Sequence, residues 1–139
     1  MLKEQLIEIL QKILEFEYTD MFVYNSEAEL FKKKIKNSEN LVKMYKNFAI
    51  DELTHADIIS QRIIFLNGSP RWEYKIVSVS NSVHETLRYH IEREIQAIRV
   101  YTDLLNNTED RKFKVVIKGI ISNEKEHLKH LTKIFNNLK

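Results

Sequence analysis

The sequence predicts an all-α protein, an antiparallel four-helix bundle with one long crossover between its second and third helices. Three observations carry that expectation. Helix breakers are scarce: the chain has two glycines and one proline, and two of these three fall together in Gly68-Ser69-Pro70, so the remaining sequence is free to form long helices. Apolar residues recur at helical spacing in four blocks of roughly 26 to 34 residues, each on the order of 40 to 50 Å long. The links between the first and second blocks and between the third and fourth are short, which makes two antiparallel hairpins. The segment from Asn67 to Val79 is longer and has the reach to carry the chain along the bundle.

The first block runs through Leu2, Leu6, Ile9, Ile13, Tyr24, Ala28 and Phe31. It ends in Lys32-Lys33-Lys34-Ile35-Lys36, where cations complement the negative end of the helix dipole. The second block, behind a Ser38 N-cap, runs through Leu41, Tyr45, Phe48, His55, Ile59, Ile63 and Leu66 and stops at Asn67-Gly68. Trp72 and Tyr74 are expected to pin the crossover to the side of the bundle. The third block starts near Ser80 to Ser82 and runs through Val83, Leu87, Ile91, Ile98, Tyr101 and Leu105 to an Asn106-Asn107 turn. The fourth, after a Thr108 cap, runs through Phe113, Ile117, Ile121, Leu128, Leu131 and Phe135. A chain of 139 residues that is 43% hydrophobic and 30% charged is read as a single domain, 1–139.

Composition removes several function classes. Without cysteine there is no disulfide, thiolate metal site or thiol nucleophile, and any metal takes N and O ligands. A formal charge of +2 is too small to imply nucleic acid, and the one lysine cluster lacks aromatic or arginine interleaving. No apolar run approaches the roughly 18 residues of a membrane span. Met1 to Leu14 carries charges throughout and has no small-residue cleavage site, so a cytoplasmic protein is expected.

The chemistry lies in Glu52-x-x-His55 and Glu124-x-x-His127, each inside a helical block, and in a lone glutamate on each of the other two blocks, Glu17 and Glu94. Residues three apart share a helix face, so each Glu-x-x-His pair offers a carboxylate and an imidazole to one metal ion. The two halves of the chain repeat this order. Tyr24 follows Glu17 by seven residues, as Tyr101 follows Glu94. All four glutamates fall on apolar stripes near mid-helix. Four carboxylates in one core repel, each close pair by about 4 kcal/mol at an effective dielectric of 20. Two divalent cations balance them, and four glutamates with two histidines are the donor set of carboxylate di-iron and di-manganese bundles. Tyr24, the candidate catalytic residue, and Tyr101 are placed to hydrogen-bond a carboxylate or donate an electron, or to serve as core tyrosines. His84, His90 and His130 are read as surface histidines, and Glu15, Glu92 and Glu126 project toward flanks.

The stretch Phe48-Ala-Ile-Asp-Glu-Leu-Thr-His-Ala-Asp57, followed by Arg62-Ile-Ile-Phe-Leu-Asn-Gly-Ser-Pro70, resembles the second helix and following turn of bacterioferritins, and the resemblance extends through all four helices. It implies a ferritin-like topology and a ferroxidase centre within one subunit. Glu17, Glu52, His55, Glu94, Glu124 and His127 then hold the metal, with Glu52 and Glu124 bridging. Asp51 and Asn123 take the positions that orient the ligand histidines, where an aspartate is usual at both. The family's haem methionine follows the second-helix glutamate, and here that residue is Leu53, which implies no haem. The chain ends at Lys139 without the family's short fifth helix, which implies a small homo-oligomer, a dimer in preference to a cage. Exposed Phe22, Val23, Phe65 and Trp72 are expected to supply its interface. Rubrerythrins carry an extra glutamate where this chain has Ala97.

The expected function is therefore oxidation of Fe(II) by O2 or peroxide at a pair of iron sites, with manganese as an alternative metal. Two other readings stand beside it: a rubrerythrin-like di-iron or di-manganese oxidoreductase or peroxidase, and a metal-free helical interaction domain.

Overall fold

Four helices account for most of the chain: α1 (Lys3–Lys34), α2 (Glu39–Phe65), α3 (Val83–Asn106) and α4 (Arg111–Asn137). The structure is a computed structural model that describes residues 2–138. Residues 1 and 139, included in the single-domain reading, lie outside the described residues. Among the described residues there is no strand, and no helix is long and apolar enough to cross a membrane. The helices pair as the short links require, α1 with α2 and α3 with α4, in two compact units, Met1–Asn81 and Ser82–Lys139.

In the first unit α1 buries Leu10, Ile13, Leu14, Val23, Tyr24, Ala28 and Phe31, and α2 buries Tyr45, Phe48, Ala49, Ala56, Ile59 and Ile63. Tyr24 packs edge-on against Tyr45 and Phe48, with ring centroids 5.1 and 5.6 Å apart. The expected stripe through Leu2, Leu6 and Ile9 is displaced at the start of α1. Steps of three and four residues back from Glu17 lead through Leu14, Ile13 and Leu10, and Leu2 is 66% exposed. Val23, expected on the exposed flank, is also buried, because it follows Asp20 by three residues and precedes Glu27 by four on the same inward face. In the second unit the buried apolar set is Leu87, Ala97, Tyr101 and Leu104 on α3 with Phe113, Ile117, Ile120, Ile121 and Leu131 on α4.

The helix ends follow local chemistry. Ser38 occupies the N-cap position of α2, but its hydroxyl donates to the carbonyls of Phe31 (3.1 Å) and Ile35 (2.9 Å) and so closes α1. At the end of α2 the left-handed conformation falls on Asn67, φ 68°. Gly68 donates its N–H to the Ile63 carbonyl at 2.9 Å, and a Cβ there would lie 2.9 Å from Ile63 Cγ2 and 3.2 Å from Ile7 Cγ2. Close approach, not φ, requires that glycine. Ser82 caps α3, accepting from the Glu85 N–H at 3.3 Å. Thr108 does not cap α4. Its hydroxyl donates to the Leu104 carbonyl at 2.6 Å, and Asp110 is the cap, accepting from Lys112 and Phe113 N–H at 2.9 and 3.2 Å. A carboxylate complements both the exposed donors and the dipole of the helix start, which a hydroxyl does less well.

The long connection lies against α1. Gln11 donates to the Ser69 carbonyl (2.7 Å) and accepts from the Arg71 N–H (3.0 Å), and Thr19 accepts from the Lys75 N–H (3.0 Å). Arg71 pairs with Glu8 at 2.9 Å. Tyr74 stacks on Phe22 with centroids 4.1 Å apart, as expected, but Trp72 remains 67% exposed and does not pin the segment. The extended backbone has no helical partners, so side-chain donors and acceptors on α1 satisfy part of it and fix its course.

Candidate metal centre

In the first hairpin α1 presents Glu17 while α2 presents Glu52 and His55, one turn apart on one face. All three are buried, the glutamates at 0% exposure and the imidazole at 4%. His55 Nδ1 lies 2.9 Å from Glu17 Oε2 and 3.3 Å from Glu52 Oε1. The second hairpin repeats the arrangement. Glu94 on α3 and Glu124 and His127 on α4 are buried, with His127 Nδ1 2.7 Å from Glu94 Oε2 and 3.3 Å from Glu124 Oε1. Within each triad, one ligand atom per residue lies within 4.8 Å of the others.

Such a triad concentrates charge where water is excluded. Burial opposes the charged form of His127, but its hydrogen bonds and Coulombic attraction to Glu124 and Glu94 outweigh that and raise its pKa to about 11. The imidazolium thereby offsets part of the carboxylate charge in the absence of metal. A divalent cation supplies the same compensation more strongly, and two carboxylates plus an imidazole form an O/N donor set compatible with iron or manganese.

Tyr24 and Tyr101 are each 1% exposed. Asp51 and Asn123 are half-buried beside the Glu-x-x-His pairs. Leu53 is 40% exposed and Ala97 is buried. His130 is a surface histidine 3.6 Å from Glu126, and exposed His84 packs on the Phe135 ring with centroids 4.7 Å apart. Glu15 is half-buried, 3.7 Å from Lys75 Nζ, and Glu92 is exposed.

His90 corrects the surface reading. It is fully buried, and burial first, then Arg93 and His127, hold its pKa well below the usual imidazole range. The spacing Leu87, His90, Glu94, Ala97, Tyr101 identifies it, because steps of three and four place all five on one face. The same arithmetic applied to Tyr24, Glu27, Ala28 and Phe31 identifies Glu27, a further buried acid, whose pKa burial raises to about 8.

A helical chain with a buried Glu–Glu–His triad in each of two hairpins falls in the class of carboxylate-rich metal-binding bundles. More particularly, the chain belongs to the ferritin-like domain family, whose family model matches residues 7–139. Bacterioferritin of Streptomyces coelicolor is 28% identical over 131 residues, covering 91% of this chain and 77% of that protein. Among solved structures, Rhodobacter capsulatus bacterioferritin, described with a metal-free dinuclear site and a haem iron, shares the fold. Its TM-score is 0.85 at 24% identity, over 96% of this chain and 84% of that one. The fold is thus the ferritin-like four-helix bundle.

Proposed function

We propose that the two triads act together as one dinuclear centre that oxidises Fe(II), with O2 or peroxide as electron acceptor, in iron detoxification or storage. The observation that carries this reading is the matched pair of buried triads, with His–Glu distances of 2.9 and 3.3 Å in one and 2.7 and 3.3 Å in the other. Family membership and the bacterioferritin fold support it, and they support treating residues 1–139 as one functional domain.

In this reading Fe(II) is the substrate. Two Fe(II) ions give up one electron each, and O2 with two protons takes both electrons to become hydrogen peroxide; where peroxide is the acceptor instead, it takes the two electrons with two protons to become two waters. Glu17 and Glu94 each bind one ion, Glu52 and Glu124 are shared, and His55 and His127 complete the donor set. Asp51 and Asn123 orient the imidazoles. Tyr24, seven residues after Glu17 on α1 and packed on Tyr45 and Phe48, is the proposed electron or hydrogen-bond donor to the site. Manganese suits the same donors. Leu53 offers no thioether to a haem. The protein is proposed to be cytoplasmic and to work as a homo-oligomer, a dimer in preference to a cage, through the exposed apolar residues Phe22, Phe65 and Trp72.

The alternative rubrerythrin-type oxidoreductase would use the same six ligands, and Ala97 at the position of that family's additional glutamate weighs against it. Aerobic addition of Fe(II), followed with an oxygen electrode, tests the proposal. Saturable, protein-dependent consumption near one O2 per two Fe(II) is expected, and consumption no faster than in buffer would overturn it. Slow O2 use with rapid peroxide reduction by a protein electron donor would favour the alternative.

A further inference from the structure

We infer that the α1–α2 turn is a binding site for a small inorganic oligophosphate. A cavity of about 880 Å³ opens at this turn, and its lining includes Lys32, Lys33, Lys34, Lys36, Lys43 and Lys46. Lys46 is engaged by Glu29 at 2.7 Å, a carboxylate that Lys32 and Lys33 also attract; the lining holds these and three further lysines against one acidic residue, Glu39.

The helix dipole accounts for only part of this cluster. Lys32, Lys33 and Lys34 form the last turn of α1, where cations are favourable. Lys36 lies beyond the C-cap, Ile35, and Lys43 stands in the early part of α2, toward the end where the dipole disfavours a cation. Asn37, with φ 58°, reverses the chain so that both groups of lysines line one cavity. Ser38 stands at the N-cap of α2 but makes no side-chain cap bond, its hydroxyl being turned back to the Phe31 and Ile35 carbonyls. The first intrahelical bond of α2 is Val42 N–H to the Ser38 carbonyl at 2.9 Å. The N–H groups of residues 39–41 therefore remain suited to an external acceptor.

Lysines are point-charge partners for phosphate. One phosphate group carries about two negative charges, too few for this lysine cluster, whereas a chain of phosphates matches it. The cavity volume lies within the range of small-molecule sites. No arginine or aromatic ring is among the lining residues, which disfavours nucleobase stacking and a nucleic-acid strand. The site uses none of the six metal ligands.

Calorimetry of the full chain with inorganic tripolyphosphate at low salt tests the assignment. One tripolyphosphate per chain is expected, with affinity falling steeply as salt rises and orthophosphate binding roughly tenfold or more weaker. The combined variant Lys33→Gln, Lys36→Gln and Lys43→Gln is expected to lose roughly tenfold or more in affinity, while Co(II) binding elsewhere is unchanged. Independently of any variant, tripolyphosphate should shift the backbone amide resonances of residues 39–41 in the wild-type protein. Absence of saturable binding, equal affinity in the variant, unshifted amides, or tighter binding of duplex DNA than of tripolyphosphate would each overturn the proposal.

Discussion

Replacing Glu27 with glutamine should make the protein more stable at alkaline pH and leave it nearly unchanged at acid pH. Glu27 is 3% exposed, and burial lifts its pKa from 4.5 to about 8. Below pH 4.5 both folded and unfolded chains hold the proton, so this carboxyl makes no pH-dependent contribution. Between about 4.5 and 8 the unfolded chain releases its proton while the folded chain keeps it, and stability falls as pH rises. Above about 8 both states are ionised and the folded chain carries the full burial penalty. At 1.36 kcal/mol per unit, the shift corresponds to an upper limit of about 5 kcal/mol. Half of that would move the melting temperature of a chain this size by about 9 °C. Glutamine mimics the neutral acid in shape and cannot ionise. Calorimetric melting of metal-free wild type and Glu27→Gln from pH 5 to pH 9 should give curves that coincide at pH 5 and diverge progressively, the variant melting higher at pH 9. Parallel curves, or a variant that is less stable at pH 9, would show that Glu27 does not titrate in this way.

His127 should remain an imidazolium in the metal-free protein well above neutral pH. Its pairing contributes stability fully present below about 6.5 and lost as pH rises through about 11, and ring-nitrogen NMR showing a titration midpoint near 6.5 would contradict this. Gly68→Ala should destabilise by about 1–3 kcal/mol, because the new methyl meets Ile63 and Ile7. Gly119→Ala, with nothing within 4 Å of its Cβ, should stabilise α4 by about 0.5–1 kcal/mol, and denaturant titration reads both signs. Glu52→Ala or Glu124→Ala should abolish binding of the ion pair, since each removes a ligand assigned to both ions, and calorimetry with Co(II) showing two ions per chain at wild-type affinity in either variant would refute the bridging assignment.

The long helices were legible because breakers are rare and the apolar spacing is regular over many turns. The triads were legible because each carboxylate lies on an apolar stripe and is repeated in the other half of the chain. Less was visible where one residue's context decides its role. His90 and Glu27 carry polar side chains onto buried faces, and the apolar pattern alone treats such positions as gaps. Thr108 and Asp110 are both competent caps two residues apart, and only the backbone path determines which meets the free N–H groups of α4. The course of the crossover depended on Gln11 and Thr19, whose bonds to Ser69, Arg71 and Lys75 span distances in sequence that no local pattern records.

In the proposed centre Glu17, Glu52 and His55 act with Glu94, Glu124 and His127 to hold two ions. Anomalous diffraction at the iron edge, from crystals of protein isolated without added metal and then loaded anaerobically with Fe(II), tests it most directly. Two anomalous peaks per chain are expected, one beside each Glu-x-x-His pair. No peak at these residues, or a single peak away from them at full loading, would contradict it.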